Sequence, residues 1–175
     1  VDVLIFGSSR ALAAAFNREP ELLRRTVRRV HLCAGASEPG FLEWNVLLDP
    51  CAVVRVLTSG LPVAVYPCAT GEGPFAYGRH NSYWKLPDLR FIRGMHPALR
   101  RYLAFALDHE VRMDFLRAME ETDVPEETLE RISGRSHNVW ETAVWAEVSG
   151  RRLVRRADGS HRLLPQAEVL PSDDV

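Results

Sequence analysis

The stretch DPCAVVRVLTSGLPVAVY, residues 49–66, contains the clearest helix and strand signals in the chain. Asp49 can cap the free N–H groups of a helix, Pro50 suits the first helical position, and Gly60 suits a left-handed residue after the last turn. A short apolar strand over residues 63–66 follows at once. A helix that leads directly into such a strand predicts part of a βαβ unit.

Two further strand signals lie upstream. Residues 1–6 (VDVLIF) and 30–34 (VHLCA) are short apolar runs, and helical patterns follow the first run, near Arg10 and over residues 21–27. Strands that alternate with helices are typical of an α/β fold, so we predict a parallel sheet with helices on both faces. Because a buried strand would stand at the very start, we expect the chain to be N-terminally truncated.

The second half of the chain is predicted to be mainly helical. Residues 67–83 are rich in Gly and Pro and are expected to form a loop. The elements expected after it are helices from His96, over residues 111–119, from Pro125 and over residues 139–148, and then a C-terminal β-hairpin of residues 153–156 and 161–164. Asp158-Gly159 supplies the hairpin turn. We predict a single domain over residues 1–165 and a frayed tail over residues 166–175.

Composition excludes several classes of protein. The chain has 22 basic and 23 acidic residues and a net charge of −1, so it has no excess of positive charge that would attract nucleic acid. No apolar run approaches the roughly 18 residues of a membrane span. Cys33, Cys51 and Cys68 have the spacing of neither a zinc site nor a disulfide framework, and free thiols indicate a reducing, cytoplasmic location.

The candidate ligand site lies at the carboxyl ends of the predicted strands, where open parallel sheets bind their ligands. Residues 7–10, 35–49 and 68–71 occupy that position. Glu43 and Asn45 stand two residues apart, so in an extended segment their side chains point the same way and can hydrogen bond adjacent sugar hydroxyls. The same pair is also explained as ordinary loop polarity without any ligand.

Several segments carry a resemblance to a known family. Residues 43–52 (EWNVLLDPCA) resemble the "EFN…DPEAA" segment of inosine–uridine nucleoside hydrolases, and residues 3–13 resemble the family's "GPLTNLA" strand, turn and helix. Residues 19–22, 32–36 and 59–63 resemble its "dPEL", "MGGA" and "sGlPi" segments, in the same order. The resemblance covers residues 1 to 70. It implies a Rossmann-like core and hydrolysis of the N-glycosidic bond of purine or pyrimidine ribonucleosides to base and ribose, as in nucleoside salvage.

The resemblance also implies roles for particular residues. Glu43 and Asn45 would hold the ribose, and Arg10 would give its backbone carbonyl to a calcium ion that activates water. Trp140 and Glu141 stand nearest to the family's late "HD" pair, so Trp140 would stack on the base and Glu141 would bind the calcium; His137-Asn138 is a competing alignment. The family's DxDxxxDD motif, which supplies the general base, would lie upstream of Val1, so no catalytic residue is assigned.

Alternative interpretations stay open at the level of sequence. Arg10, Ala11 and Trp140 differ from the family pattern, which is also expected of a non-catalytic nucleoside- or ribose-binding homologue that has lost the calcium site. A third interpretation treats residues 7–10 (GSSR) as a phosphate cradle at a helix N-terminus. Residues 77–84 form either a base-binding lid or a surface loop. The expected partner is a nucleoside, and a homo-oligomer is left open.

Overall fold

A parallel sheet forms the centre of the fold in the computed structural model, which describes residues 1–76, 82–108, 117, 120 and 123–171. Strands β1 (Asp2–Ile5), β2 (Arg29–Cys33) and β3 (Val63–Tyr66) are hydrogen bonded in the order β1-β2-β3. Both pairings are parallel, with Leu4 opposite His31 and His31 opposite Ala64. The predicted parallel sheet is therefore confirmed.

Two helices cover one face of this sheet. Helix α1 (Arg10–Arg18) and helix α4 (Pro50–Leu57) pack against it, whereas α2 (Pro20–Thr26) contributes no buried residue. The side chains that form this core come from both helices and from the central strand: Phe16, Val30, Leu32, Val53 and Val56. The burial of this apolar surface is the main source of stability for this layer.

A third helix covers the opposite face. Helix α7 (Thr142–Val148) buries Val144 against Cys33 and Cys68, and Leu4 and Tyr66 pack around them. Helices on both faces of the sheet are therefore confirmed. The alternation of β2 explains the arrangement, because successive residues of a strand point to opposite faces.

Local chemistry fixes α4 as the sequence predicts. The Asp49 carboxylate accepts the N–H of Ala52 at 3.0 Å, Pro50 is the first helical residue, and Gly60 has φ = 77° after the helix ends. The first turn of a helix has backbone N–H groups without partners inside the helix. The aspartate cap accepts one of them, and the proline has no N–H group that would need a partner.

Two local predictions are wrong. The segment at Glu43–Asn45 is not extended, because Glu43 caps a single helical turn, α3 (Trp44–Leu47). The helix expected over residues 139–148 starts only at Thr142, and Val139 belongs to a strand. In both cases a hydrogen bond to a residue elsewhere in the chain outweighs the local pattern.

The C-terminal hairpin is confirmed. Strands β6 (Arg151–Arg155) and β7 (His161–Pro165) pair antiparallel, with Arg155 opposite His161. Gly159 has φ = 81°, which is the backbone conformation that the Asp-Gly pair supplies. A short 3-10 turn, Gln166–Glu168, follows.

The described contacts divide the chain into two compact units, Val1–Tyr83 with Trp140–Val175, and Trp84–Val139. The second unit contains β4 (Trp84–Leu86), a 3-10 helix (Arg90–Gly94), α5 (Pro97–Leu107), α6 (Glu126–Ser133) and β5 (His137–Val139). It has its own core of Leu89, Ile92, Ala104, Leu129 and Ile132. Most of the helix expected over residues 111–119 lies outside the described residues. The single domain over residues 1–165 and the frayed tail stay predictions.

None of the helices within the described residues combines the length and the apolarity that crossing a bilayer would take.

Candidate functional site

A pocket opens in the first unit at the carboxyl edge of the parallel sheet. Its cavity volume is about 300 Å³, and its lining residues come from four separate segments: Phe6, Phe41, Glu43, Trp44, Asn45, Cys68, Pro74, Phe75, Trp140 and Glu141. Phe6 follows β1, residues 41–45 follow β2, and Cys68 follows β3. We call this cavity the carboxyl-edge pocket; it lies where a parallel sheet is expected to bind ligands.

Glu43 lines the pocket with only 5% of its surface exposed. Its carboxylate accepts the backbone N–H groups of Gly35 and Asn45 at 2.9 Å each, and that of Val46 at 3.3 Å. The charge is thereby stabilised by three donors and ties α3 to the loop after β2. A carboxylate has about four acceptor positions, so one of them remains for a ligand.

Asn45 is half-buried beside it. One N–H of its amide donates to the carbonyl of Cys33 at 2.9 Å, at the end of the central strand. That bond fixes the orientation of the amide and leaves its oxygen and its second N–H able to meet a ligand hydroxyl. Asn45 and Glu43 both line the pocket despite the wrong backbone prediction, because one helical turn also places them on the same side.

Trp140 and Glu141 reach the same pocket from far along the chain. The Trp140 ring lies 4.5 Å from the Tyr83 ring and 6.4 Å from the Phe75 ring, measured between centroids. No side chain or backbone group of the described residues forms a hydrogen bond or ion pair with the Glu141 carboxylate. Four of the five residues that the sequence assigned to substrate or metal therefore share one cavity.

Arg10 is the fifth, and it does not line the pocket. It is the first residue of α1, and its guanidinium contacts the Asp49 carboxylate at 2.8 Å. That hydrogen bond, with the N–H of Ala52, lowers the pKa of Asp49. His137 and Asn138, the competing alignment, lie in β5 of the second unit.

The phosphate-cradle interpretation gains little from this geometry. Ser9 precedes α1, but its hydroxyl is buried without a hydrogen-bond partner and does not cap the helix. The N–H of Arg10 is already met by the Ser8 hydroxyl at 3.3 Å, and the Arg10 guanidinium is paired with Asp49. An arriving phosphate would have to compete with these partners.

The thiol of Cys68, which also lines the pocket, is held in its neutral form. A hydrogen bond with the buried Cys33 raises the pKa of Cys68 well above its ordinary range, and burial and the charges of Glu43 and Glu141 raise it further. A thiol that stays protonated is neither a nucleophile nor a metal ligand at neutral pH. All three cysteines are free; Cys33 and Cys68 are buried and Cys51 is exposed.

The described residues do not supply a complete calcium site. Nowhere among them do three or more His, Cys, Asp or Glu side chains come together in a way that could hold a metal ion. Calcium takes six to eight oxygen ligands, whereas Glu141 is the one carboxylate of the described pocket residues without a partner. The predicted calcium ion stays a prediction.

Sequence reasoning missed the aromatic part of the pocket. Phe41 and Phe75 line it, and Phe75 is 79% exposed. Both lie in loops, where an aromatic residue shows no periodicity that could reveal its role. Their position in the loops after β2 and β3 does not by itself distinguish them from the other residues of those loops.

The lid interpretation can be followed only in part, because residues 77–81 lie outside the described residues. Tyr83 is buried, and its hydroxyl donates to the carbonyls of Pro74 at 3.0 Å and Ala76 at 3.2 Å. The Ser82 hydroxyl donates to the carbonyl of Pro67 at 2.8 Å. These bonds anchor the loop that carries Phe75.

Comparisons with known proteins give little beyond the sequence. No protein-family model matches the chain. It is 31% identical over 71 residues to an uncharacterized protein of the yeast Schizosaccharomyces pombe, a match that covers 38% of this chain and 23% of that protein. The chain thus matches less than a quarter of the length of this relative. No solved structure matches the chain.

Proposed function

We propose that this chain is a nucleoside hydrolase-like protein that binds a ribonucleoside in the carboxyl-edge pocket and hydrolyses its N-glycosidic bond. One observation carries the proposal. Glu43 and Asn45 were assigned to the sugar and Trp140 and Glu141 to the base and metal, from two segments far apart in sequence, and all four line one cavity. A Rossmann-like core of the nucleoside hydrolase type belongs to the same proposal.

The pocket offers different chemistry to the two halves of a ribonucleoside. The remaining acceptor position of Glu43 and the free amide groups of Asn45 suit vicinal hydroxyls, which both donate and accept hydrogen bonds. Trp140 and Phe75 present aromatic surface, on which a planar base can stack. A volume of about 300 Å³ lies at the small end of the range for ligand sites.

The proposed reaction uses side chains of this chain alone. Water attacks the anomeric carbon, the C–N bond breaks, and its electron pair leaves with the base. Glu141 takes one proton of the water as a general base, the departing base takes a proton from solvent, and the nearby charge of Glu43 stabilises the positive charge that develops on the sugar. Calcium remains part of what the family resemblance implies.

The test is release of ribose. The chain is incubated with inosine and with uridine, with and without added calcium, and reducing sugar is measured. Glu141→Gln should lower the rate by about 100-fold or more, because a general base typically contributes that much. Glu147 lies in α7, which begins directly after Glu141, and is paired with Arg29 at the surface, so Glu147→Gln should leave the rate unchanged. Absence of ribose from both substrates contradicts the hydrolase proposal.

A second candidate function is non-catalytic binding of a nucleoside or ribose. It is favoured by Glu43, whose carboxylate is largely used by three backbone N–H groups. This candidate predicts saturable binding of inosine in a calorimeter without release of ribose, and an affinity that a calcium chelator does not change. A strong effect of the chelator on binding contradicts it.

A cytoplasmic location also belongs to the proposal. It rests on the three free cysteines, since oxidising compartments favour disulfides. Exposed Cys51 gives a test: in cells quenched with acid before labelling it should be found reduced, and a mixed disulfide on Cys51 would contradict the proposal.

A further inference from the structure

We infer that the carboxyl-edge pocket selects a ribonucleoside whose base carries a positive charge at the glycosidic nitrogen, such as a pyridinium riboside. The inference rests on the proposed function and goes beyond it, because a nucleoside pocket could equally favour a neutral base. Three features of the described lining residues support it: their negative charge, their aromatic surface and the absence among them of an acid beyond the two carboxylates.

The described lining residues of the pocket carry a net negative charge. Glu43 and Glu141 line it, and no arginine or lysine does among the described lining residues. The Glu141 carboxylate has no ion-pair or hydrogen-bond partner within the described part of the chain. A carboxylate that is partly shielded from water and lacks a partner favours a cationic ligand, since the interaction of two opposite charges strengthens as water is excluded.

The aromatic surface of the pocket reinforces this preference. Trp140 and Phe75 form a tilted pair, and Phe41 and Trp44 contribute further rings from the loop after β2. The face of an aromatic ring attracts a cation, and tryptophan does so most strongly. These rings and the Glu141 carboxylate line the same pocket. Such a combination can bind an organic cation that has no N–H group to donate in a hydrogen bond.

The chemistry of the leaving group points the same way. A neutral base must receive a proton as it departs, but the described lining residues offer no carboxylic acid or histidine for that step beyond the two carboxylates already assigned. A pyridinium base needs none. The water oxygen bonds to the anomeric carbon, the C–N pair neutralises the ring nitrogen, and the water proton passes to Glu141 and then to solvent.

The test compares two ligands that differ mainly in charge. Nicotinamide riboside is a cation, and its dihydro form is neutral with nearly the same shape. Titration calorimetry on the full chain should show the cation binding about tenfold tighter or more, the size expected from one cation–π contact together with attraction to a partly shielded carboxylate. Glu141→Gln should reduce this preference to about twofold to threefold, whereas Glu147→Gln should keep it.

The outcomes separate this inference from the proposed function. Equal affinity for the two ribosides overturns the inference and leaves ribonucleoside binding standing. 1-Methylnicotinamide, which is methylated on the ring nitrogen, is a cation without ribose and should bind at least tenfold more weakly than the riboside. If it binds as tightly, the pocket does not recognise ribose, and both the proposed function and the inference fail. No binding of either riboside overturns both.

Discussion

The most informative single residue is Glu43, because it is both a structural cap and a lining residue of the pocket. Its buried carboxylate joins the loop after β2 to the first turn of α3 through three backbone donors. Glutamate is not among the preferred caps, and one of its donors, the N–H of Gly35, lies eight residues upstream. Glu43 therefore helps to fix the shape of the pocket in the absence of a ligand.

The first prediction concerns this residue. Glu43→Ala leaves three partly buried N–H groups without their acceptor, so the free energy of unfolding should fall by about 2–4 kcal/mol. Denaturant unfolding followed by circular dichroism measures the change. Glu38→Ala removes an exposed acid from the same loop and should change the free energy by less than about 0.5 kcal/mol. Equal effects of the two substitutions would contradict the role given to Glu43.

A second prediction at this scale uses the pKa of Asp49. The Arg10 guanidinium lowers the pKa of the Asp49 carboxyl in the folded chain. The ion pair therefore stabilises the fold fully at pH values above the pKa of the unfolded chain, about 3.9. This stabilisation is lost as the pH falls through the lower pKa of the folded chain. In Asp49→Asn the helix cap is retained but the charge is lost. The difference in unfolding free energy between the two proteins should therefore shrink below about pH 4.

Chemical unfolding at several pH values between about 2 and 7 measures this difference. Arg10→Gln removes the same ion pair from the other side and should give the same pattern. Curves for Asp49→Asn and the unchanged protein that run parallel over the whole range would show that the pair does not contribute.

At the scale of elements, the loops after β2 and β3 approach each other without room for a side chain between them. A Cβ on Gly71 would lie 2.4 Å from the carbonyl oxygen of Pro39, and a Cβ on Gly40 would lie 3.0 Å from the carbonyl oxygen of Gly71. Both obstacles are backbone atoms, which cannot turn away as a side chain would. The close packing of the loops after β2 and β3 therefore requires glycine at positions 40 and 71.

Gly71→Ala should therefore separate these loops. We expect a loss of more than about 1 kcal/mol in the free energy of unfolding, together with weaker binding of ribonucleoside, because Phe41 and Phe75 extend from the two loops. Gly7→Ala is the matched control, since a Cβ there meets nothing within 4 Å. A Gly71→Ala protein with unchanged stability and affinity would contradict the close approach.

The elements also show what sequence can and cannot predict. Helix α4 was predicted because its cap, its proline and its final glycine lie within twelve consecutive residues. The turn at Glu43 was predicted wrongly because its decisive hydrogen bond comes from Gly35. Strands β4 and β5 pair Lys85 with Asn138, and no local pattern reveals a partner so far along the chain.

The same distinction holds for the candidate site. Glu43, Asn45, Trp140 and Glu141 could be selected because the resemblance to nucleoside hydrolase segments pointed to them one by one. That all four line one cavity is a result of the tertiary structure. Phe41 and Phe75 could not be selected, because an exposed aromatic residue in a loop has the same local sequence whether or not it lines a pocket.

At the scale of the whole molecule, the chain divides into two units, and all described lining residues of the pocket belong to the first. The second unit leaves the first after Tyr83 and returns at Trp140. Trp84 is the first residue of β4, Val139 is the last residue of β5, and the two are paired. The two ends of the segment 84–139 are therefore close enough for a short linker to replace it.

A shortened chain tests this division. Replacing residues 84–139 with a short Gly-Ser linker should leave a folded protein that binds ribonucleoside with an affinity within about threefold of the full chain, because the pocket and its core are retained. Calorimetry on both proteins gives the comparison. A shortened chain that folds but has lost binding would show that the pocket depends on the second unit.

The central claim, that a ribonucleoside occupies the carboxyl-edge pocket, is tested most directly by the indole N–H resonances of the four tryptophans during an NMR titration with nicotinamide riboside. Trp44 and Trp140 line the pocket, whereas Trp84 belongs to the second unit. The account predicts that the resonances of Trp44 and Trp140 shift together and saturate while that of Trp84 stays in place. No shift in the pocket pair, or the same shift in all four indoles, would contradict it.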